Sequence, residues 1–570
     1  IRITIYNIHN RTKICRRCTS YKFSITLKTS MTIGKLYPIY VQEIYPGDSF
    51  KCDAKFVART SSAYLRPVMD VVNCDTYFFF VPNRLVFDAW AKVFGESDNK
   101  WAAQTETKVA RTSLGAGNNG AISEKSVADY MGLPLLSDVP DGINILPIRA
   151  FALIYDQYFR DENFIDPMLV QKGDQNALVE VFNNNDWSPS NYFGKLPKVA
   201  RYHDYFSSCL PSPQKSNSPV IIPFSSDAPI PVYPMARDKT LTDDDFPDIA
   251  MPKYSMVGVN GLDIFGYTTG GYLGVRQGSA GDSERLGTVE SSSTIPDQGI
   301  TPFINNLFGN VTGVGPDVSD LRTAVQLQKM LERDARGGTR YTEYITAAFG
   351  VSSPDARLQR PEFLGGARVP LNVQQVAQTS ESSNASALGE LGAYSWTNGN
   401  VKFAKAFTEH GYIIGVSCLR FKHNYQQGIE RFWLKTERMD FVDPVFAHLS
   451  EQPVYTSEIY ARNASDQPDV KGSVWGYNEI YADSRFRPNK ITGEMRSNAT
   501  ATQDIWHFGD FYNSVPSLNE TFINETPAPV DRTMAVSSEV QDQFIFDWFF
   551  KQSAVRVLPL YGTPGLVDHN

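Results

Sequence analysis

The sequence predicts a mainly β protein in which short strands are joined by very long loops and a few short helices. Aromatic residues make up 12% of the 570 residues, with 35 Phe and 28 Tyr, and such a composition favours sheet packing. The stretch Asp75–Val81 is apolar and aromatic and ends at Pro82, which is typical of a short buried strand. Near the far end of the chain, aromatic side chains recur at every second position, the period of a half-buried strand: Phe544, Phe546, Trp548 and Phe550.

Composition places the chain among globular proteins, since 42% of the residues are hydrophobic and 20% are charged. No apolar run approaches about eighteen residues, so we expect no membrane insertion. The six cysteines are too scattered to form a disulfide framework, and a reducing cytoplasm is the expected compartment.

Residues 1–30 are predicted to form a basic arm with weak strand character. The first 42 residues hold 8 basic and no acidic side chains, which leaves 46 basic against 62 acidic residues in the remainder. A basic end on an acidic body is typical of a protein that touches nucleic acid with one end, although a solubilising tail is the alternative. The candidate nucleic-acid-binding residues are Arg2, Arg11, Lys13, Arg16 and Arg17, with Tyr6 and Tyr21 interleaved.

Two cysteines in this arm have the spacing of half a zinc site. Cys15 and Cys18 are separated by two residues, and His9 lies upstream. Because no second Cys or His pair follows at a suitable spacing, we predict neither a metal site nor any other cofactor.

Residues 31–217 are predicted to hold the first strands, followed by loops and helical pieces. Pro46–Asp48 marks a turn, and Pro147–Phe159 carries apolar and aromatic residues at helical spacing. His203 and Asp204 are adjacent, but no nucleophile lies at a recognisable spacing from them, so no catalytic pair is predicted.

Residues 218–317 differ in character from the rest of the chain. Glycines crowd together between Gly258 and Gly281, and charge is sparse apart from Asp243–Asp245. We interpret this interval as a long surface insertion that is poor in core residues and rich in turns. A passive loop is the alternative to a functional protrusion.

Residues 318–570 begin with a predicted helical connector. Ser319 and Asp320 are good N-cap residues, and Gly337 and Gly338 stop the helix. Residues at three- and four-residue spacing predict one buried helical stripe: Leu321, Ala324, Val325, Gln328, Leu331 and Ala335. A second short helix is expected over Tyr341–Phe349, ending at Gly350.

Charged residues of both signs are dense from residue 332 to residue 362. Paired carboxylates for acid–base catalysis are one interpretation, and an inter-subunit face of arginine–carboxylate pairs is the other. We favour the second because the signs are mixed. The candidate contact residues are Arg333, Arg336, Arg340, Arg357 and Arg360.

The last third of the chain contains a predicted strand over Phe407–Phe421. Four histidines stand singly among aromatic strands and loops, and we expect each to be a structural histidine with satisfied hydrogen bonds: His410, His423, His448 and His507.

Three classes of function are compatible with these patterns. They are a self-assembling shell protein, a β-sandwich carbohydrate-binding module or glycan-active enzyme, and a nucleic-acid-binding scaffold. A glycan-active enzyme needs a suitably spaced carboxylate pair, which nothing in the sequence singles out. A nucleic-acid scaffold should be basic overall, whereas this chain is acidic outside its arm.

Several stretches resemble one family closely. KMLERDARGGTRYTEYI followed by FGVSSPDARLQRPEFLGG, together with MDVVNCDTYFFFVPNRLVFDAW and GYNEIYADSRFRPNKITGEMRS, is similar to the major capsid proteins of the Microviridae, in the gokushovirus branch of single-stranded DNA bacteriophages. The resemblance covers most of the chain except the N-terminal arm and the insertion.

The resemblance implies a non-enzymatic structural protein with an eight-stranded viral jelly roll and large insertions. About sixty copies would close a T=1 icosahedral shell around a circular single-stranded DNA genome, so the expected location is the virion, assembled in the bacterial cytoplasm. The insertion would project at the threefold axes and contact a host cell-surface receptor, with Tyr267, Tyr272 and Leu273 as candidate residues. Family partners would be an internal scaffolding protein, a DNA pilot protein and a small DNA-associated protein.

Overall fold

The computed structural model describes residues 19–96, 107–112, 119–173, 181–216, 220, 318–372, 396–463, 465–467 and 469–557, together with short strand segments between residues 230 and 309 and at 375–377 and 391–394. The chain divides into two compact units. The first is formed by Ile1–Ser218 with Gln328–Asn570, and the second is Pro219–Leu327. The bounds of the second unit lie close to those of the predicted insertion.

The strands are numbered here in chain order. In the first unit they are β1 (Thr19–Met31), β2 (Leu36–Ile44), β3 (Ser49–Thr60) and β4 (Val72–Pro82). The second unit contains β5 (Ile230–Pro231), β6 (Met256–Val257), β7 (Asp263–Ile264), β8 (Gly271–Arg276), β9 (Arg285–Glu290) and β10 (Phe308–Gly309). The first unit then continues with β11 (Glu362–Leu371), β12 (Gln375–Ala377), β13 (Leu391–Tyr394), β14 (Thr397–Ala406), β15 (Gly411–Phe421), β16 (Glu451–Tyr455), β17 (Val474–Glu479) and β18 (Phe544–Arg556).

The helices are numbered in the same way. They are α1 (Trp90–Val93), α2 (Val127–Tyr130), α3 (Leu146–Ile154), α4 (Val318–Gly337), α5 (Tyr341–Phe349), α6 (Thr456–Ile459), α7 (Ala482–Arg485), α8 (Glu520–Ile523) and α9 (Ala528–Asp531). A π-helical turn over Tyr155–Phe159 extends α3, so the helical piece predicted at Pro147–Phe159 is confirmed.

The first large sheet is antiparallel, with the strand order β1-β18-β3-β14. Along β18 every second side chain is buried, as the sequence alternation predicts, and the outward positions Ile545 and Phe549 are exposed. β3 alternates in the same way. Because successive side chains of a strand point to opposite faces, this alternation leaves one face of the sheet apolar and available for packing.

The second large sheet is also antiparallel, with the order β11-β4-β15-β2. β15 is buried along nearly its whole length, and α3 packs against it. β4 is similarly buried, which confirms the strand predicted at Asp75–Val81. The strand predicted over Phe407–Phe421 begins later, at Gly411, because residues 407–410 form the turn that leads into it.

The two sheets face each other across an aromatic core. Phe78 of β4 meets Phe403 of β14 with ring centroids 4.9 Å apart, and Tyr40 of β2 meets Phe550 of β18 at 4.9 Å. Both pairs join one sheet to the other. The described fold is therefore mainly β, with two antiparallel sheets packed as in a β-sandwich.

Residues 19–30, which the sequence assigned to the arm, belong to the sheet. β1 pairs with β18 over its whole length, from Thr19 opposite Arg556 to Met31 opposite Phe544. Its weak alternation reflects its position, since β1 is an edge strand with only one neighbour in the sheet. Residues 1–18 lie outside the described residues.

The connector between residues 318 and 350 is helical, as predicted, but it differs in two respects. Helix α4 begins at Val318, so Ser319 and Asp320 lie inside it instead of capping it. Leu321 and Val325 of the predicted buried stripe are 44% and 42% exposed, whereas Ala335 is buried. Helical spacing identifies residues that share a face, but it does not ensure that another element covers that face.

Both predicted helix ends are confirmed by backbone geometry. Gly338 follows α4 with a φ of +87°, and Gly350 ends α5 with a φ of +66° and donates its N–H to the carbonyl of Thr346. Positive φ values of this kind favour glycine because it lacks a Cβ atom.

A second apolar cluster joins the long connection between β15 and β18 to residues 205–209. It is built mainly from aromatic and aliphatic side chains that are nearly or fully buried: Tyr205, Phe206, Tyr425, Val454, Ile459, Trp475, Phe522 and Ile523. Phe206 packs edge-on against Trp475, with ring centroids 5.9 Å apart. This cluster gives the loops outside the sandwich a rigid base of their own.

Candidate assembly surface

One segment exposes an unusual number of large apolar side chains. It covers residues 431–449 and contains 3₁₀ turns at Arg431–Leu434, Arg438–Asp440 and Pro444–His448. Seven of its apolar side chains are between 46% and 76% exposed: Phe432, Trp433, Met439, Phe441, Val442, Val445 and Leu449. Single exposed apolar residues are ordinary, but seven within nineteen residues favour an interaction site. We call this segment the 431–449 surface.

Ion pairs hold the beginning of the 431–449 surface. The guanidinium of Arg431 donates to Glu458 Oε1 at 3.0 Å and to the carbonyl of Pro453 at 2.8 Å. Lys435 lies 3.1 Å from a carboxylate oxygen of Asp483. Leu434 is buried and anchors the first turn to the body of the unit. The exposed rings of Phe432 and Trp433 are thus presented from a fixed backbone.

Asp440 fixes the middle of the same surface. Its carboxylate accepts hydrogen bonds from the backbone N–H groups of Thr436 and Glu437, and the ammonium of Lys471 lies 2.9 Å from both of its oxygens. Desolvation alone would raise the pKa of Asp440, but these hydrogen bonds and the Lys471 charge outweigh it and lower the pKa to about 2. The carboxylate is therefore ionised at neutral pH and holds the turn closed.

The last part of the surface is held by a tyrosine. The N–H of Asp443 donates to the hydroxyl of Tyr481 at 3.0 Å, and that hydroxyl donates in turn to the carbonyl of Asp443 at 3.1 Å. A preorganised apolar surface loses little conformational entropy when it binds a partner. The contacts described here hold the 431–449 surface at Arg431, Asp440 and Asp443.

The arginines predicted to contact another subunit are mostly engaged within the chain. Arg336 donates to Glu451 and to the carbonyl of Ser208, both at 2.8 Å. Arg340 donates to the carbonyls of Asp156 and Arg160 at 2.8 and 3.0 Å. These two guanidinium groups tie residues 336 and 340 to other parts of the first unit through part-buried, charge-assisted hydrogen bonds.

The remaining predicted arginines differ from one another. Arg360 donates to the hydroxyl of Tyr158 at 3.0 Å and pairs with Asp355 at 2.9 Å, so it too is internal. Arg333 lies over the ring of Tyr344, 5.4 Å from its centroid, and remains partly exposed. Arg357 is exposed. The local charge pattern could not show which arginines have partners within the chain, because those partners lie up to 202 residues away in sequence.

The candidates for nucleic-acid binding lie almost entirely outside the described residues. This applies to Arg2, Tyr6, Arg11, Lys13, Arg16 and Arg17, and also to the cysteines and histidine of the half zinc site. Tyr21 is described and lies in β1, opposite Ala554 of β18. It is half-buried in the sheet edge and does not lie in a separate arm.

The candidates for host contact fall in the second unit. Tyr272 and Leu273 lie in β8, which pairs with β9 so that they face Val289 and Thr288 in register. Tyr267 lies outside the described residues. Two of the three candidates therefore share one hairpin strand.

Of the single histidines, His423 is the most deeply engaged. Its Nδ1 lies 2.7 Å from Asp510 and its Nε2 lies 2.9 Å from Glu525. His507 bonds the carbonyl of Met495 through Nε2, and His410 stacks on Phe94 with ring centroids 4.7 Å apart. The hydrogen bonds of His423 and His507 agree with the expectation of structural histidines.

Nothing in the described part of the chain groups three or more His, Cys, Asp or Glu side chains as a metal site would. Its cysteines, Cys52, Cys74, Cys209 and Cys418, are free thiols in the interior, and burial raises the pKa of Cys74 to about 12. Among the same residues, no helix is both long enough and apolar enough to cross a membrane.

Comparison with known proteins identifies relatives over almost the whole chain. A family model described as "Capsid protein (F protein)" matches residues 10–566. This range includes the insertion and part of the arm, which the sequence motifs alone had left out.

Individual relatives carry the same description. The "Capsid protein VP1" of Chlamydia phage 1 is 34% identical over 577 residues, which covers 96% of this chain and 96% of the relative. The proteins of the same name from Bdellovibrio phage phiMH2K and Spiroplasma virus 4 are each 35% identical, covering 96% of this chain and 95% of the relative.

Proposed function

The chain belongs to the phage capsid protein (F protein) family, and from that premise we propose that about sixty copies of it assemble into a closed T=1 icosahedral shell around a circular single-stranded DNA genome. Its role in this proposal is structural and not enzymatic. The virion is its final location, and assembly takes place in the cytoplasm of a bacterial host.

The strand order supports an eight-stranded jelly roll as the shell-forming core. Along the chain, β1, β3, β14 and β18 enter the first sheet, and β2, β4, β11 and β15 enter the second. The first and last of these strands, β1 and β18, are neighbours. Two facing four-stranded sheets with strands alternating between them are typical of viral jelly rolls.

The observation that carries the assembly proposal is the 431–449 surface. A chain that remained a monomer would expose these seven large apolar side chains to water, which is unfavourable by about 25 cal/mol for each Å² of apolar area. In a shell the same side chains are covered by a neighbouring copy. Arg333 and Arg357, which are only partly engaged or exposed, remain candidates for additional contacts between subunits.

Two further parts of the proposal rest on other regions. The basic residues of the arm would neutralise phosphates of the enclosed DNA, since Lys and Arg release condensed counterions when they bind the backbone. The insertion, with Tyr267, Tyr272 and Leu273, would form a threefold protrusion that contacts the host receptor. An internal scaffolding protein, a DNA pilot protein and a small DNA-associated protein are the expected partners.

The test of this function is the product of expression together with the scaffolding partner. Sedimentation followed by negative-stain electron microscopy should show uniform icosahedral particles, and single-stranded DNA should be protected from nuclease in the same fraction. A chain that stays a small oligomer in the presence of the scaffolding partner would contradict the proposal. Particles without protected DNA would contradict only the part that concerns the genome.

A further inference from the structure

An open groove lies on the outer side of the second sheet. It has a volume of about 690 Å³ and is lined by residues of β4, β11 and β15 and by residues 158–161 and 199–203. Six aromatic rings line it: Tyr77, Phe79, Tyr158, Phe159, Tyr202 and Phe363. Five arginines line it as well: Arg160, Arg201, Arg360, Arg368 and Arg420. Two carboxylates also take part, but Asp355 is paired with Arg360 and Asp161 accepts the N–H of Asn163.

Four of the five arginines are used to build the groove. Arg160 pairs with Asp156 and donates to the carbonyl of Ile165, and Arg201 pairs with Asp510 and donates to the carbonyl of Asn524. Arg360 pairs with Asp355 and donates to Tyr158, as described above. Arg420 donates to Asp75 and to the carbonyl of Ala200. Their side chains are at most 18% exposed.

Arg368 differs from the other four. Its side chain is 53% exposed, and its Nε donates to Asp75 at 2.8 Å. Within the part of the chain that the structure describes, its two terminal nitrogens have no hydrogen-bond acceptor. The guanidinium also lies over the ring of Tyr202, 4.2 Å from the centroid, and so its plane is held in position. A guanidinium with one edge fixed and the other free is suited to bind a phosphate through two parallel hydrogen bonds.

The charges around Asp75 do not cancel, because two arginines share this one carboxylate. Its carboxylate is fully buried and bonds both Arg368 and Arg420, so one negative charge faces two positive charges. The hydroxyl of Tyr202 also donates to Asp75 at 2.9 Å. The free end of Arg368 is therefore the place in the groove where an anionic ligand would be attracted, whereas the carboxylate of Asp161 leaves a negative charge elsewhere on the lining.

Phe363 supplies an exposed ring on the same strand as Arg368. It is 49% exposed, and its centroid lies 5.7 Å from that of Phe79 and 6.3 Å from that of Tyr77. The register of β11 shifts between Phe363 and Gly365, which marks a bulge at this point. Next to it, a Cβ on Gly366 would lie 2.5 Å from the ring of Tyr77, so the strand passes close over that ring.

We propose that this groove binds single-stranded nucleic acid, with the free edge of Arg368 on a phosphate and the ring of Phe363 stacked on a base of the same strand. The proposal rests on the proposed enclosure of single-stranded DNA and assigns two contacts to it. A cation beside exposed aromatic rings is the combination used by proteins that bind single strands, because every base has a stacking face. Paired bases of a duplex have no such face available, and an acidic peptide offers the charge without the ring.

The test uses the full chain as an unassembled subunit and a fluorescein-labelled oligothymidylate, read by fluorescence anisotropy. We expect Arg368→Gln to weaken binding about 3- to 10-fold and to lower the salt slope by about 1. Phe363→Ala should weaken binding about 5- to 100-fold. An abasic oligonucleotide should bind the native chain more weakly than oligothymidylate, and Phe363→Ala should not change its affinity.

Arg485 provides a matched control. Its side chain is 51% exposed and paired with Glu479, much as Arg368 is paired with Asp75, but it lies outside the groove. Arg485→Gln should leave the affinity within about twofold of the native value. Arg368→Lys keeps the charge but cannot make the bidentate contact with a phosphate. Thermal melts of all variants show whether each remains folded.

The proposal is overturned if Arg368→Gln and Phe363→Ala both bind oligothymidylate as the native chain does. It is also overturned if Phe363→Ala weakens the binding of the abasic probe, duplex DNA or polyglutamate as much as it weakens the binding of oligothymidylate. Electron microscopy of the same variants separates this result from the wider function. If the native chain forms shells and the groove variants bind oligothymidylate as the native chain does, only the groove assignment is wrong. If the native chain forms no shells, the proposed function is wrong.

Discussion

The imidazole of His423 lies between two buried carboxylates, with Nδ1 2.7 Å from Asp510 and Nε2 2.9 Å from Glu525. Arg201 pairs with the same Asp510 at 3.3 Å. Burial alone would lower the pKa of His423, but the charges of Asp510 and Glu525 outweigh burial and the repulsion of Arg201 and raise the pKa to about 9. The group joins three parts of the chain that are distant in sequence, represented by Arg201, by His423 and by Asp510 with Glu525.

The first prediction concerns pH. A histidine whose pKa is higher in the folded than in the unfolded chain stabilises the fold fully below its unfolded pKa of about 6.5, and this contribution is lost as pH rises through the folded value. We expect the free energy of unfolding of the isolated subunit to fall by about 3 kcal/mol between pH 6.5 and about 9.5, since each pKa unit corresponds to about 1.4 kcal/mol. Urea denaturation at fixed pH values measures this.

The matching variant is His423→Gln, which keeps a hydrogen-bonding side chain but cannot titrate. It should be less stable than the native chain at pH 6.5 and should lose most of the decline in stability above that pH. A native chain whose stability stays constant or increases from pH 6.5 to 9.5 would show that His423 is not protonated in the fold.

The second prediction concerns the 431–449 surface. Val445 is 76% exposed within this surface, and Val540 is 78% exposed outside it. Placing a carboxylate in an apolar contact costs roughly 2 kcal/mol or more, which is more than tenfold in association. Val445→Asp should therefore reduce the yield of sedimenting particles at least about tenfold, and Val540→Asp should leave it near the native yield.

Thermal melts of both variants should agree with the native subunit, because neither side chain packs in a core. Equal particle yields from Val445→Asp and Val540→Asp would mean that the apolar surface is not a contact between subunits.

The third prediction concerns the buried carboxylate of the groove. Asp75 is fully buried between two guanidinium groups, and Asp75→Asn leaves them facing each other without a charge partner. We expect a loss of about 3 kcal/mol in the free energy of unfolding, at the lower end for a broken buried pair because Arg368 is half exposed.

The control for Asp75 is an exposed pair in the other sheet. Asp547 lies 2.7 Å from Lys28, and their side chains are 52% and 78% exposed. Asp547→Asn should cost less than about 1 kcal/mol, since exposed pairs contribute little. Similar losses from the two substitutions, measured by urea denaturation, would contradict the assigned role of Asp75.

The fourth prediction compares neighbouring positions of β18. Phe550 is 1% exposed and packs between the sheets, whereas Phe549 points outward and is 41% exposed. Phe550→Ala should cost about 3–5 kcal/mol through the lost contacts and the cavity left behind. Phe549→Ala should cost less than about 1 kcal/mol in the unassembled subunit.

Thermal denaturation of the two alanine variants provides the comparison. If Phe549→Ala were the more destabilising substitution, the assignment of the inner face of β18 would be reversed, and with it the register of β1 on β18.

Local structure was well predicted wherever a short stretch of sequence carried its own signal. The alternation at Phe544–Phe550, the apolar run at Asp75–Val81 and the helix over Tyr341–Phe349 all appear in the structure. Their signals depend on the periods of strand and helix and on the conformational freedom of glycine, which act over a few residues.

The burial of side chains and their contacts with residues distant in sequence could not be predicted in the same way. The spacing of Leu321 and Val325 indicated a common face, yet that face is exposed. The charge pattern near residue 336 also gave no sign of the partners within the chain, where Arg336 binds Glu451 and Arg340 binds carbonyls of residues 156 and 160. The 431–449 surface was missed because its apolar residues, taken alone, are equally compatible with a core.

Periodicity, composition and family motifs thus indicated from the amino-acid order that this chain is a mainly β capsid protein. Only the folded chain brings Thr19–Met31 beside Phe544–Arg556, His423 between Asp510 and Glu525, and Arg368 beside Tyr202. The reason is physical: the period of a strand or helix is fixed by neighbouring residues, whereas burial and charge pairing depend on residues that folding brings together from hundreds of positions apart.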